Sequence, residues 1–225
     1  MGNKKMLEEL KKQGFYKNWP VKNVNHINFF ICPDLNLEDI YFKLRSEILK
    51  SNADKLGVKK IPEINFFVYP SKKFGHEIGL ELGFTDVNNR EIHSRVEQTP
   101  GHELTHVLIG EICNLKDIGH FWSEGISVYL DGHSDERRKE LFKLQNYSME
   151  TLNTPWEKWR IELPINLYEL AGSVVQFIDK KYGMPTIVTF FKLLKDIVSN
   201  QNEVAGKIFG YDLMNLQKQW LETLI

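Results

Sequence analysis

The chain has 225 residues, with 29 Lys and Arg against 30 Asp and Glu, 42% hydrophobic and 12% aromatic. That apolar and aromatic content excludes a disordered chain, and a formal net charge of −1 gives no reason to expect a nucleic acid or an anionic membrane as partner. Its apolar runs fall short of the roughly 20 residues that span a bilayer, and the length allows one domain or two closely packed subdomains.

Lys4–Lys12 reads as a short amphipathic helix with Gly14 past its end. No apolar run follows its lysines, so no signal peptide is expected. The default compartment is the cytoplasm; secretion or surface anchoring is the alternative if a leader was removed ahead of Met1. Cys32 and Cys113 read as reduced core residues rather than a disulfide framework. His26–Ile31 is a strand ended by Pro33. Leu37–Leu56 is a helix, with Leu37, Ile40, Tyr41, Leu44, Ile48 and Leu49 as its apolar face and Gly57 as its stop. Ile64–Tyr69 is a second strand between Pro62 and Pro70. Phe74–Leu82 reads as a short helix or a covering loop. Gly83–Val87 and Glu91–Val96 read as strands joined across the turn-forming pair Asn88-Asn89. Helices follow near 99–113, 122–131, 135–146, 166–182, 185–198, 202–209 and 212–224.

The pattern predicts an α+β chain. Residues 1–115 form a strand-containing lobe and 116–225 a helical lobe. Together they make one domain, 1–225, with a cleft between the lobes. Asn28-Phe29-Phe30 and Asn65-Phe66-Phe67 are core strands. Trp156 and Trp159 pack, with cover of the cleft as the alternative. Asp135–Glu140 is a solvated helix start.

Pro100-Gly101-His102-Glu103-Leu104-Thr105-His106-Val107-Leu108 contains H-E-x-x-H. Residues four apart share one helix face, so His102 and His106 can aim two imidazoles at one point. Neutral imidazole ligates zinc at about 2.0–2.1 Å. Glu103 lies one step round the helix, where it can take a proton from a water on the metal. Leu104, Val107 and Leu108 supply the anchoring apolar side. Alone, the motif leaves a surface helix without metal open.

A third ligand decides, because catalytic zinc usually has three protein ligands plus water. Glu124, in Trp122-Ser123-Glu124-Gly125, follows His106 by eighteen positions and opens a second amphipathic pattern. A carboxylate on the first turn of that helix can complete a His-His-Glu set, and Gly125 would let the two helices approach closely. A solvated helix-start carboxylate is the alternative for Glu124.

His102–His106 followed by Trp122-Ser123-Glu124-Gly125 resembles the gluzincin branch of the zincin metallopeptidases. The nearer likeness is to aminopeptidase-N-like members, also called peptidase MA-like, whose third ligand lies in a W-x-x-E-G or N-E-G segment. Their usual spacing is one residue longer. Thermolysin-like enzymes share H-E-L-T-H, but their Glu is further away, in N-E-A. The resemblance covers about 85–195, with 100–130 its specific part. Tyr168-Glu169-Leu170-Ala171-Gly172-Ser173 and Lys181-Tyr182-Gly183 resemble, more weakly, a helix that follows the zinc helices in small members. No G-x-M-E-N segment precedes the zinc helix, and the extra domains of the large aminopeptidases are missing, so amino-terminal trimming is not implied.

The resemblance implies a zincin-like two-lobed domain in which His102, His106 and Glu124 hold one zinc ion. Glu103 is then the general base for a zinc-bound water attacking a peptide carbonyl, and it passes the proton to the leaving amine. Tyr168 is the candidate donor to the oxyanion, with a packing role as its alternative; His120, Tyr129 and His133 compete. By the same likeness, Glu91–Val96 is an edge strand that pairs with extended substrate. Thr99 is expected to cap the zinc helix with Pro100 at its first position. Asp117 and Asp131 are acids able to orient a zinc histidine, though surface solvation explains each as well.

The expectation is a zinc metallopeptidase of gluzincin type acting as an endopeptidase on peptides or proteins. Nucleic acid and membrane partners are not expected. The first alternative is a catalytically inactive zincin-like binding or regulatory protein. Further alternatives are a structural zinc domain and hydrolysis of a non-peptide substrate at the same site.

Overall fold

Alternating apolar residues in short runs between prolines and glycines make strands, and a 3.6-residue apolar period makes the helices between them. A computed structural model describes residues 2–132, 148–149, 167–194 and 200–224. The chain divides into two compact units, Met1–Ala53 with Lys59–Val107, and Asp54–Val58 with Leu108–Ile225. In chain order the described elements are α1 (Gly2–Lys12), β1 (Val21–Val24), β2 (Ile27–Ile31), α2 (Asp39–Leu56), β3 (Ile64–Tyr69), α3 (Lys72–Glu77), β4 (Phe84–Asp86), β5 (Glu91–Arg95), α4 (His102–Cys113) and α5 (His120–Leu130). Then come α6 (Leu167–Tyr182), α7 (Met184–Leu193), α8 (Gln201–Phe209) and α9 (Leu213–Glu222). The helix expected at 135–146, and Trp156 and Trp159, lie outside the described residues. The protein is mixed α and β, with one five-stranded mixed sheet among the described residues.

In the first unit the sheet order is β1-β2-β3-β5-β4. The β1–β2 and β5–β4 pairs are antiparallel, and β2–β3 and β3–β5 are parallel. β1 was not visible as a strand in the sequence, since Val21-Lys22-Asn23-Val24 carries only two apolar residues. Strand alternation gives the sheet two faces. One presents Ile27, Phe29, Ile64, Phe66, Val68 and Ile92, all buried. Phe29 meets Phe42 of α2 edge-on at 5.0 Å. The other face presents Phe30, Phe67, Tyr69 and His93, under a cluster that includes Leu7 and Leu10 of α1 and Trp19. Fully burying each large apolar side chain is worth about 1.5–3 kcal/mol.

α2 turns inward only part of the face its apolar spacing predicts, Leu49 among it. Ile40 is 63% and Leu44 41% exposed, while Phe42, Arg45, Ser46, Leu49, Asn52, Ala53 and Leu56 are buried. The reason is polar. Asn25 donates to Ser46 at 2.6 Å, Arg45 donates to the Gln98 carbonyl at 3.0 Å, and Asn52 donates to Thr105 Oγ1 at 3.1 Å. Satisfied hydrogen bonds let these groups take the inner side.

In the second unit α5 and α6 cross at small residues. A Cβ on Gly125 would come within 2.7 Å of the Ala171 carbonyl oxygen, and one on Gly172 within 2.7 Å of Val128 Cγ1. The close approach expected of Gly125 is therefore to α6, not to α4. Trp122 meets Phe190 of α7 edge-on at 5.1 Å and donates to Gln201 of α8 at 3.2 Å. Trp220 of α9 donates to Ser173 of α6 at 3.1 Å. Cys32 and Cys113 are buried free thiols. No described helix is long and apolar enough to cross a membrane.

Candidate metal centre

The site begins at the start of α4. Gly101 accepts from Thr105 N at 3.0 Å and from Thr105 Oγ1 at 2.9 Å. The helix therefore opens at His102. Pro100 lies before the helix rather than at its first position, so Thr99 is not its cap. Leu104, Thr105, Val107 and Leu108 are fully buried, which fixes the rotation of α4. Asn52 holds Thr105, and Arg45 holds Gln98 in the lead-in loop. Gln98 Oε1 in turn accepts from Arg95 N at 2.9 Å and Ser94 Oγ at 3.1 Å.

With α4 so fixed, His102 and His106 stand half-buried on one face. Their Nε2 atoms are 3.3 Å apart and their rings lie 4.9 Å apart at 78°. Two nitrogens bound at about 2.0–2.1 Å to one tetrahedral ion would be about 3.4 Å apart, so the spacing suits a shared metal. Glu124 offers a carboxylate oxygen, and the ligand atoms of His102, His106 and Glu124 all lie within 4.8 Å of one another. Two imidazoles and one carboxylate form a donor set suited to zinc. The three predicted ligands are thus brought together as a group that could hold a metal ion. Glu124 is the fifth residue of α5, which starts at His120. It belongs to the second turn and is half-buried, so it is not a solvated helix-start carboxylate.

Glu103 is only 6% exposed. A buried carboxylate needs a hydrogen-bond partner, and Thr85 supplies it. Thr85 Oγ1 lies 2.8 Å from Glu103 Oε2 and 3.1 Å from the Glu103 carbonyl oxygen. Nothing in the sequence pointed to Thr85, seventeen positions before His102, because only the antiparallel β4–β5 pairing carries it to α4.

Other expected residues fall as follows. Tyr168 is the second residue of α6, half-buried, one turn ahead of the Ala171 and Gly172 that pack on α5. Tyr129 donates to Asp179 Oδ2 at 2.7 Å, so its proton serves an α5–α6 link. His120 is exposed at the start of α5, and His133 lies outside the described residues. Asp117 accepts from Gly119 N at 2.7 Å and shapes the turn into α5; Asp131 is the C-cap of α5. Glu91–Arg95 is not an edge strand. It lies between β3 and β4, and Glu91–His93 are paired on both sides; the edge on that side of the sheet is β4. No family model matches the chain, and no curated protein matches it in sequence.

Proposed function

We propose that this protein is a zinc-dependent metallopeptidase of gluzincin type that cleaves peptide or protein substrates, probing them as an endopeptidase rather than trimming their amino termini. The observation that carries the reading is the pair of imidazole nitrogens 3.3 Å apart with the Glu124 carboxylate beside them. The buried Glu103 on the next helix position adds to it. The resemblance of His102–His106 and Trp122–Gly125 to gluzincin sequences supports it from a second side.

In this reading His102, His106 and Glu124 would hold one zinc ion. Zinc, when bound, supplies a Lewis acid and makes water nucleophilic near neutral pH. Glu103, one step round α4 from His102, would serve as general base, taking a proton from the attacking water and giving it to the leaving amine. Tyr168, in the first turn of α6, would be the donor to the developing oxyanion. The apolar inner face of α4 and the Asn52 and Arg45 hydrogen bonds keep His102, Glu103 and His106 in fixed relation on α4.

The test is a digest of a peptide library by zinc-loaded wild type and Glu103→Gln. The wild type is expected to cleave internal bonds. Glu103→Gln is expected to retain the metal and lose activity by about 100-fold or more, the contribution of a general base. Full activity in Glu103→Gln would remove Glu103 as base. Tyr168→Phe is expected to lower kcat with KM largely unchanged; unaltered kinetics would remove Tyr168 from the mechanism.

A further inference from the structure

We propose that Thr85 is the positioning residue of Glu103: its hydroxyl holds Oε2 of the carboxylate in one rotamer and leaves Oε1 for proton transfer. The inference rests on the reading of Glu103 as general base and adds the residue that aims it.

The argument starts with freedom. A glutamate side chain has three rotatable torsions, and an unheld one spreads over several staggered rotamers. Proton transfer instead needs the acceptor oxygen within hydrogen-bond reach of its target. Thr85 removes that freedom from a stiff base. It is β-branched, with few χ1 choices in a strand. Its backbone is set by the pairing of Thr85 with Ile92, and the start of β4 by the bond from Gly83 N to the His93 carbonyl at 2.8 Å. Strand alternation puts Thr85 on the same sheet face as Ile92, which is fully buried.

The hydroxyl has one proton and two acceptors near it, the carboxylate Oε2 at 2.8 Å and the Glu103 carbonyl at 3.1 Å. The charged, nearer acceptor forms the stronger bond. A threonine placed only to satisfy the helix would need the carbonyl alone. Here the hydroxyl sits between main chain and side chain of one residue, and so fixes one relative to the other. Oε1 accepts no hydrogen bond from the described residues.

Thr85→Val keeps the shape and the strand preference while deleting the donor, and Thr85→Ser keeps the donor. Both variants should bind Zn²⁺ and Co²⁺ within about threefold of wild type, since no ligand is touched. With the peptide selected from the library, Thr85→Val should lower kcat about 10- to 100-fold with KM within about twofold, and Thr85→Ser should restore kcat to within about threefold. Unchanged kcat in Thr85→Val, or a loss carried by KM, would overturn the proposal. A second readout needs no turnover: the carboxyl ¹³C resonance of Glu103, assigned by its loss in Glu103→Gln. It should move in Thr85→Val and return in Thr85→Ser; an unmoved resonance overturns the proposal. If the zinc-loaded wild type cleaves no peptide, the peptidase reading fails, and the resonance alone decides whether Thr85 holds Glu103.

Discussion

Two settings for histidine stand side by side in the first unit. His93 is fully buried on the sheet face under α1, its ring stacked between Phe67 at 4.6 Å and Phe84 at 4.9 Å. Its Nδ1 meets the Tyr69 hydroxyl at 2.8 Å, and that hydroxyl meets Tyr16 at 2.9 Å. His102 and His106 are half-buried on α4, nitrogen facing nitrogen. The residue type is the same and the physics opposite. His93 is spent on packing and a hydrogen-bond chain. The α4 pair keeps its lone-pair atoms convergent, where a cation can share them. Residue identity therefore nominates a ligand, and only the surroundings of its nitrogen decide between core and site.

The comparison breaks most visibly through the metal. Zinc-loaded wild type should carry about one zinc per chain. His102→Ala should carry none after dialysis, as read by elemental analysis, while His93→Phe keeps its zinc. Zinc loss from His93→Phe equal to that from His102→Ala would erase the distinction. The reverse cut concerns stability. His93→Ala deletes a fully buried aromatic ring and leaves a void between two phenylalanines. By the scale of large aromatic-to-alanine changes it should cost about 3 kcal/mol in urea unfolding, whereas half-buried His102→Ala should cost well under 1 kcal/mol without metal.

A linked effect is somewhat smaller. A ligand that binds only the folded state stabilises it by mass action, about 2.7 kcal/mol at a hundred times its Kd. Zinc should therefore raise the Tm of wild type and leave that of His102→Ala unmoved. An equal shift in both would place the metal somewhere other than the α4 pair.

Much of this was legible beforehand, for identifiable reasons. The strand Ile64–Tyr69 came through whole because proline bounds it on both sides and its buried residues are apolar. The hairpin β4–β5 was announced by Asn88-Asn89, and His102, His106 and Glu124 by their spacing. Most of the buried face of α2 was illegible. Periodicity counts apolar residues, and that face carries Arg45, Ser46 and Asn52, whose partners Gln98, Asn25 and Thr105 are distant in sequence or on other elements. Thr85 was hidden for the same reason: a threonine in a three-residue strand gains its meaning from Glu103 across the fold. The edge role fell on β5 instead of β4 because sequence order is not sheet order.

The smallest expected effect sharpens the comparison through pH. Burial pushes the His93 imidazole below its ordinary value of 6.5, and the nearby Glu91 carboxylate, 3.9 Å from Nε2, only partly offsets this. The polar and charged groups that act on that ring are Tyr16, Tyr69, Glu91, Asp86 and Lys11, whose ammonium contacts Glu91 at 2.5 Å. Folded His93 thus binds its proton more weakly than the unfolded chain does. Above about 6.5 neither state holds that proton and the contribution is complete; as the pH falls below it, the unfolded state gains protons first and stability is lost. Burial opposes ionisation of Glu91, but His93 and Lys11 outweigh it and hold the carboxyl below its usual 4.5. Stability from Glu91 is therefore also lost as the pH falls, in a lower window. His93→Phe keeps a ring between Phe67 and Phe84 and leaves Tyr69 bonded to Tyr16, so at pH 8 it should cost only about 1 kcal/mol, the worth of one hydrogen bond. Between pH 7 and pH 5 its urea midpoint should fall less than that of wild type. Parallel curves for the two proteins would show that His93 takes up its proton without leaving the core, and the contrast with the α4 pair would then rest on metal binding alone.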